Sequence, residues 1–260
     1  LISSKESINF FVFHLILITA LLLQISSNLI NDYYDFKSGV DKNERLGPKR
    51  VTQAGLISPT QMKKAFLFTL SMSFLLGTYL MYIGGIKIVL IGLSSLLFCY
   101  LYTGGPYPLS HYALGEVLAF IFFGPVPVIG TYLLLQNPSG IIPVHLYFLG
   151  SGVGFLSALL MSINNLRDIK EDKDSDKLTL AVLFGFEGAK LFSFLLLFLS
   201  AIMLVLSKLY PALLIYLIFA KKWVQFKHMP RSSELNLMLA FCGKFLFLYC
   251  IAASFCLLFL

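Results

Sequence analysis

Long apolar runs alternate with short polar segments along most of this chain. Eight runs can be distinguished, at roughly 8–30, 61–83, 86–102, 113–135, 143–167, 188–206, 209–220 and 234–258. Most of them contain about the 20 residues that a helix needs to cross a lipid bilayer. The run 209–220 is shorter, so we expect it to merge with its neighbour, cross a thinned region or begin further back. The pattern predicts an all-α integral membrane protein, a bundle of about eight transmembrane helices.

One of the runs contains helix-breaking residues. Gly124-Pro-Val-Pro127 lies inside the run 113–135, and proline removes a backbone donor and kinks a helix. Membrane helices are often broken in this way around a cavity. A packing kink without a ligand is an equally good interpretation, and both stay open here.

The basic residues predict the orientation of the chain in the membrane. Most of the 20 lie in three segments, 36–64, 167–177 and 221–233, which eight spans place on one side. By the positive-inside rule that side is cytoplasmic, which predicts a multi-pass protein of the cell (inner) membrane. The net charge of +7 therefore gives no reason to expect nucleic-acid binding, because topology accounts for it. The composition, 58% hydrophobic and 13% charged, agrees with an environment of lipid.

Acidic and amide side chains cluster at the ends of two apolar runs. The first cluster extends from Asn28 to Asp41 and the second from Asn164 to Asp176, and together they hold most of the 13 acidic residues. A solvated loop would explain Glu44, Glu171 and Asp174. It explains poorly the three aspartates that directly end a helix and follow an asparagine one turn earlier, namely Asp32, Asp35 and Asp168.

These clusters suit a hard divalent cation. Closely spaced carboxylates repel one another unless protons or cations bridge them, and oxygen ligands favour Mg²⁺. Basic residues nearby would add charge-assisted hydrogen bonds to a diphosphate; they are Arg45, Lys49, Arg50 and Lys177. If the clusters face each other above an apolar tunnel, the substrate they indicate is an isoprenyl diphosphate.

Glu116 is a lone acid at the start of an apolar run. Either it faces the cavity between the helices, or it is a favourable charge at a helix N-terminus.

The two clusters resemble the Asp-rich motifs of the UbiA superfamily of membrane prenyltransferases. Asn31-Asp-Tyr-Tyr-Asp35 with Asp41 is similar to the first motif, and Asn164-Asn-Leu-Arg-Asp168 with Asp172 to the second. Further stretches resemble the menaquinone branch, the 1,4-dihydroxy-2-naphthoate polyprenyltransferases: Ala54-Gly-Leu-Ile-Ser-Pro59, Tyr102-Thr-Gly-Gly-Pro-Tyr-Pro-Leu109, Gly124-Pro-Val-Pro-Val-Ile-Gly-Thr-Tyr132 and Lys177-Leu-Thr-Leu-Ala-Val182. The chain departs from that branch at Asp176, where a glycine is usual.

The resemblance implies a fold and a reaction. Residues 1–260 would form a single transmembrane prenyltransferase domain around a central apolar cavity open to the cytoplasm. The family has nine helices, so the first is expected to precede Leu1. The implied reaction is Mg²⁺-dependent transfer of a prenyl group from a polyprenyl diphosphate to 1,4-dihydroxy-2-naphthoate, with loss of CO₂ and diphosphate.

The resemblance also implies roles for individual residues. The implied metal ligands are Asp32, Asp35, Asp168, Asp172 and, from the loop, Asp41. The most direct contributions to catalysis are expected from Asp35 and Asp168 with the amides of Asn31 and Asn164. The diphosphate would be bound by Asn28, Arg45, Arg50 and Lys177, and the acceptor by Tyr102, Tyr107, Arg167 and Asn165.

Two other functions remain open at this stage. Another branch of the superfamily, with an acceptor such as 4-hydroxybenzoate, would use the same motifs. A cation-coupled transporter would use both acidic clusters as ion sites, but such sites usually lie near the middle of the membrane. Here the clusters are predicted at cytoplasmic helix ends beside lysines and arginines, which favours an anionic substrate.

Overall fold

The computed structural model describes residues 8–39, 46–48, 50–136 and 141–259, and within these ranges the chain is helical apart from turns and one isolated β-bridge. The α-helices are α1 (Phe10–Ser38), α2 (Pro59–Leu101), α3 (Gly115–Phe123), α4 (Pro125–Leu135), α5 (Val144–Arg167), α6 (Ile169–Asp174), α7 (Leu180–Leu206), α8 (Leu214–Ile218), α9 (Ala220–His228) and α10 (Glu234–Leu257). Short 3₁₀ helices occupy Leu109–His111 and Tyr210–Leu213. The predicted all-α class is confirmed.

Six helical segments in the described ranges are long and apolar enough to cross a bilayer: α1, α2, α3 together with α4, α5, α7 and α10. The predicted number of about eight transmembrane helices is not confirmed. The run 209–220 forms the 3₁₀ helix Tyr210–Leu213 and the five-residue α8, neither of which has spanning length.

Helix α2 accounts for two of the predicted runs because it folds back on itself. Gly85 has a left-handed φ of 66° that interrupts the helical geometry. A Cβ atom built on Gly92 would lie 2.3 Å from the Met81 Cε atom. In a straight helix, residues eleven positions apart are separated by about 16 Å. The chain therefore reverses at Gly85, between the predicted runs 61–83 and 86–102.

The chain divides into two compact units, each described by itself. The first falls within Leu1–His111 and Gly130–Ile142. In it, α1 packs along both arms of α2: the Ser26 hydroxyl donates to Thr69 Oγ1 at 2.8 Å, and the hydroxyls of Tyr34 and Tyr100 are 2.7 Å apart. This packing fixes the C-terminal end of α1, where the first acidic cluster lies.

The second unit comprises Tyr112–Ile129 and Pro143–Leu260. Its centre is α5, which contacts α3, α7 and α10. The hydroxyls of Ser162 on α5 and Ser193 on α7 are 2.9 Å apart. Large buried side chains such as Phe226, Phe245 and Tyr249 fill the core around it. The buried C-terminal end of α5 is where the second acidic cluster lies.

The predicted break at Gly124 is confirmed, since α3 ends at Phe123 and α4 begins at Pro125. A Cβ atom on Gly124 would lie 2.4 Å from the Gly154 Cα atom and 2.6 Å from the Gly150 carbonyl oxygen. The backbone of α5 thus approaches the break directly, through two glycines spaced four residues apart. This contact favours the packing interpretation of the break.

An open apolar pocket in the second unit lies between α7 and residues 210–217. None of the predicted site residues that the structure describes lines it. The central cavity open to the cytoplasm stays a prediction, as does the single domain.

Candidate functional site

In the first unit, the last turn of α1 presents a buried ion pair. Asp35 is 6% exposed, and its Oδ2 atom lies 2.5 Å from Nη2 of Arg50. Gly39, with φ 69°, ends the helix by donating its N–H to the carbonyls of Asp35 and Phe36. The carboxylate is therefore held between a fixed helix end and a guanidinium group.

A compact turn brings Arg50 to this position. The Arg50 carbonyl accepts the N–H of Ala54, and Leu56 donates its N–H to Val51. Gly55 supplies the left-handed φ of 71° that closes the turn. Ser58 and Gln61 then form a capping box at the start of α2, so the turn is anchored to the next helix.

Asp32 lies one turn before Asp35. Its Oδ1 atom is buried and has no hydrogen-bond partner among the residues that the structure describes. Asn31 is half-buried and Asn28 is exposed on the same helix. Asp41 and Arg45, which the sequence predicts as a further metal ligand and a diphosphate contact, lie outside the described residues.

The two tyrosines predicted to contact the acceptor lie after α2. Tyr102 is half-buried, and its carbonyl accepts the N–H of Ser110. Tyr107 is 72% exposed. Neither placement tests the predicted role, and an exposed tyrosine is also common at membrane interfaces.

In the second unit, Arg167 forms a two-pronged contact with Asp168. The distances from Nε to Oδ1 and from Nη2 to Oδ2 are both 2.6 Å, and both residues are buried. Nη2 also donates to Asn164 Oδ1 at 2.8 Å, and Nη1 to Asn236 Oδ1 at 2.9 Å. Every nitrogen of the guanidinium group thus has a partner in the protein.

The sequence predicts Arg167 as a contact to the acceptor, and that role stays a prediction. Here its donors are directed at Asp168, Asn164 and Asn236. These contacts indicate that Arg167 also positions Asp168. Asp168 retains lone pairs on both oxygens, so its predicted role as a metal ligand is compatible with the contact.

Asp172 pairs with Lys177 through the local backbone geometry. Helix α6 ends in a Schellman motif, in which Lys177 donates its N–H to the Asp172 carbonyl and Asp176 donates to Lys173. This backbone geometry directs the lysine side chain back toward α6, where its Nζ atom lies 3.2 Å from Asp172 Oδ1. Asp176 takes the left-handed position of the motif with φ 55°, a conformation that glycine adopts without strain.

Asn165 contacts Glu116 on the neighbouring helix. Its Nδ2 atom donates to Glu116 Oε1 at 3.0 Å, and both side chains are buried. Tyr112 pairs with Leu178 in the isolated β-bridge, and Ala113 donates its N–H to the Leu178 carbonyl at 2.8 Å. The start of α3 is thus attached to the segment that follows Lys177.

The model of the UbiA prenyltransferase family matches residues 1–251. The chain belongs to the UbiA prenyltransferase family. It is 34% identical over 206 residues to a 1,4-dihydroxy-2-naphthoate octaprenyltransferase of Haemophilus influenzae, covering 77% of this chain and 66% of that protein. It is 36% identical over 205 residues to the protein of the same name from Escherichia coli, covering 75% and 65%.

The fold agrees with that of solved UbiA proteins. A UbiA homologue from Archaeoglobus fulgidus, solved with DMAPP and Mg²⁺, superposes with a TM-score of 0.63 at 19% identity, covering 95% of this chain and 87% of that one. At this identity the similarity establishes the fold alone. The curated relatives are longer proteins, of which this chain spans about two thirds. The UbiA family and the apolar helices together identify a multi-pass membrane protein.

Sequence reasoning missed two partners in this UbiA chain. Asn236, which binds Arg167, is 69 positions away in sequence and has no local signal. Arg231 contacts Glu171 at 2.5 Å and donates to the Arg167 carbonyl at 3.1 Å. The interpretation of Glu171 as merely solvated is therefore wrong, because the residue is half-buried and ion-paired. The basic composition of 221–233 could have pointed to Arg231, but it was interpreted as a sign of membrane topology.

No group of three or more His, Cys, Asp or Glu side chains in the described ranges gathers closely enough to hold a metal by itself. Mg²⁺ commonly binds through one or two carboxylates together with waters and phosphate oxygens. Asp32, whose buried Oδ1 atom has no partner within the ranges that the structure describes, fits that requirement. The mutual placement of the two clusters stays a prediction.

Proposed function

We propose that this protein transfers a prenyl group from a polyprenyl diphosphate to 1,4-dihydroxy-2-naphthoate, releasing diphosphate and CO₂ and yielding a demethylmenaquinone. The observation that supports this most is the buried Oδ1 atom of Asp32, which has no hydrogen-bond partner among the described residues. It lies one helical turn before Asp35 in the first Asp-rich motif of a UbiA chain. An anionic oxygen buried without a partner is costly, which favours a cation as its missing ligand.

In this proposal the Asp residues of each motif bind Mg²⁺ on the substrate diphosphate. The ligands would be Asp32, Asp35, Asp168 and Asp172, with Asp41 added from the loop. Asn31 and Asn164 orient the ligands, while Asn28 and Arg45 contact the diphosphate. The relative solved with DMAPP and Mg²⁺ supports the choice of cation and of substrate class. When bound, Mg²⁺ would stabilise negative charge on the departing diphosphate.

Two basic residues would exchange partners when the diphosphate binds. Arg50 contacts Asp35, and Lys177 contacts Asp172. When these carboxylates bind the cation, the guanidinium and ammonium groups can donate to phosphate oxygens. They would then neutralise charge that develops as the C–O bond breaks and its electron pair leaves with the diphosphate.

The prenyl carbon is then attacked by a ring carbon of the acceptor. The attacked carbon bears the carboxylate group, whose C–C bond breaks to give CO₂ and to return the electron pair to the ring. An apolar environment protects the allylic cation from water. Two 1,4-dihydroxy-2-naphthoate octaprenyltransferases among the relatives support this acceptor. Tyr102, Tyr107 and Asn165 are proposed to contact it, at a site that faces the cytoplasm.

The test is an assay of the purified protein in lipid nanodiscs. Mg²⁺, a polyprenyl diphosphate and carboxyl-labelled 1,4-dihydroxy-2-naphthoate should give labelled CO₂ and a prenylated quinol, and chelation of the metal should stop both. Prenylation of 4-hydroxybenzoate without turnover of the naphthoate would overturn the acceptor. Cation flux in sealed vesicles without any diphosphate turnover would overturn the enzyme assignment.

A further inference from the structure

The second unit contains a buried carboxylate, that of Glu116, which has no ion-pair partner among the described residues. Around the C-terminal end of α5, Asp168 pairs with Arg167, Glu171 with Arg231 and Asp172 with Lys177. Glu116 is 3% exposed but forms no ion pair within the part of the chain that the structure describes. Its charge is therefore the one that the neighbouring pairs leave uncompensated in this group of four carboxylates.

The two oxygens of Glu116 have different surroundings. Oε1 accepts a hydrogen bond from Asn165 at 3.0 Å, which fixes the orientation of the carboxylate. Oε2 is buried and has no hydrogen-bond partner among the described residues. Burying such an oxygen without a partner costs folding free energy, unless a ligand occupies the position in front of it.

The location of Glu116 shows which kind of ligand this would be. Asp172 and Lys177 are close enough for their charges to act on Glu116, with opposite signs. A substrate diphosphate at Lys177 would add further negative charge beside two carboxylates. The positive end of the α3 helix dipole offsets only part of this charge, and Oε2 has no hydrogen-bond partner in the described part of the chain. A divalent cation would compensate the negative charge and coordinate Oε2.

We infer that Glu116 is a cation ligand of the second motif, binding a divalent metal through Oε2 together with Asp172 while Asn165 holds Oε1. This inference rests on the proposed function. It extends the metal site to a residue outside both Asp-rich motifs, on a helix attached to the motif by the Tyr112–Leu178 bridge. It also gives Asn165 a positioning role, since its amide orients the ligand.

The experiment measures Mn²⁺ binding by electron paramagnetic resonance on the full chain in nanodiscs, with a non-reactive prenyl thiolodiphosphate present. Three proteins are compared: wild type, Glu116→Gln and Glu187→Gln. The glutamine at 116 keeps the acceptor for Asn165 but removes the charge. Glu187, whose side chain is 81% exposed on α7, provides the same acid-to-amide change outside the site.

Glu116→Gln is expected to weaken Mn²⁺ binding by about tenfold or more. The metal-free thermal midpoint should be unchanged or higher, because the variant removes a buried charge that has no partner. Glu187→Gln should bind Mn²⁺ like the wild type, and Glu116→Asp should recover part of the affinity.

Three results would overturn the inference, and they are distinguishable. Unchanged Mn²⁺ affinity in Glu116→Gln removes the metal role. Unchanged Mn²⁺ affinity with a raised KM for the aromatic acceptor assigns Oε2 to an acceptor hydroxyl instead. A wild-type protein that binds neither Mn²⁺ nor the thiolodiphosphate overturns the proposed function itself.

Discussion

Arg167 places its guanidinium fork on the carboxylate of the next residue, Asp168, with two nitrogen–oxygen distances of 2.6 Å. Both side chains are buried, and the same guanidinium also binds Asn164 and Asn236. A bidentate contact fixes the plane of the carboxylate as well as its position. In this chain, the orientation of the aspartate of the second motif is therefore set by its immediate neighbour.

Replacing Arg167 with lysine should lower turnover strongly. Lysine keeps the charge but cannot form the planar fork, so Asp168 would lose its orientation. We expect kcat to fall by about 100-fold, as for other displacements of a catalytic group by about 1 Å, and stability to fall by about 2–3 kcal/mol. Steady-state kinetics and thermal unfolding in detergent measure the two effects.

Arg231→Lys is the matched control, because Arg231 contacts Glu171 at a partly exposed position. It should keep kcat within a few-fold of the wild type. If Arg167→Lys did the same, the fork would have no part in the reaction.

The two aspartates of the first motif should respond differently to neutralisation. Asp35→Asn removes the negative charge from a largely buried ion pair with Arg50, which should cost about 3 kcal/mol or more. Asp32→Asn removes a charge whose buried Oδ1 has no partner in the described residues, so its metal-free stability should be unchanged or higher. Both variants should lose more than about 99% of turnover if the residues bind the metal.

Loss of the ion pair and loss of metal binding can be separated by measuring how much Mg²⁺ and a prenyl diphosphate analogue stabilise each variant. We expect this stabilisation to be reduced in both variants, although only Asp35→Asn is destabilised without ligand. Ligand-induced shifts equal to those of the wild type in Asp32→Asn would contradict its assignment as a metal ligand.

Asp176→Gly should stabilise the protein without changing turnover. Asp176 occupies the left-handed position of the motif that ends α6, and an L-residue there costs about 1 kcal/mol relative to glycine. The backbone contact of Lys177 with Asp172 is kept in the variant. The thermal midpoint of the substrate-free protein measures this effect, and KM for the prenyl diphosphate is the control.

An increase in that KM would show that the Asp176 carboxylate itself contributes to substrate binding. A lower thermal midpoint in the glycine variant would show that the carboxylate stabilises the turn by more than its backbone conformation costs.

The sequence predicted those features of the site that have a local signal. An aspartate directly after an apolar helix is such a signal, and Asp35 and Asp168 both lie at buried helix ends. The reversal at Gly85 was also predictable, because it separates two apolar runs. Contacts between distant segments have no such signal: Asn236 reaches Arg167 across 69 positions, and Glu116 reaches Asn165 across 49. Which carboxylates are ion-paired depends on these tertiary contacts, so the sequence could not separate Glu171 from solvent-exposed acids.

The glycines of α5 provide the last prediction, on packing. A Cβ atom on Gly154 would lie 2.6 Å from the carbonyl oxygen of Phe120, a backbone atom that can move only if α3 shifts. Gly243 on α10 has no atom within 4 Å of such a Cβ. Gly154→Ala should therefore destabilise the protein by about 1–3 kcal/mol, whereas Gly243→Ala should stabilise it by up to about 1 kcal/mol.

Both substitutions add one methyl group to an apolar helix, so their difference reports the close approach of the two backbones rather than helix propensity. Thermal unfolding in the same detergent measures it. Because the shift of α3 would also displace Glu116, Gly154→Ala should weaken Mn²⁺ binding, and Gly243→Ala should not. Equal stabilities of the two variants would mean that α3 and α5 are not packed backbone to backbone at Gly154.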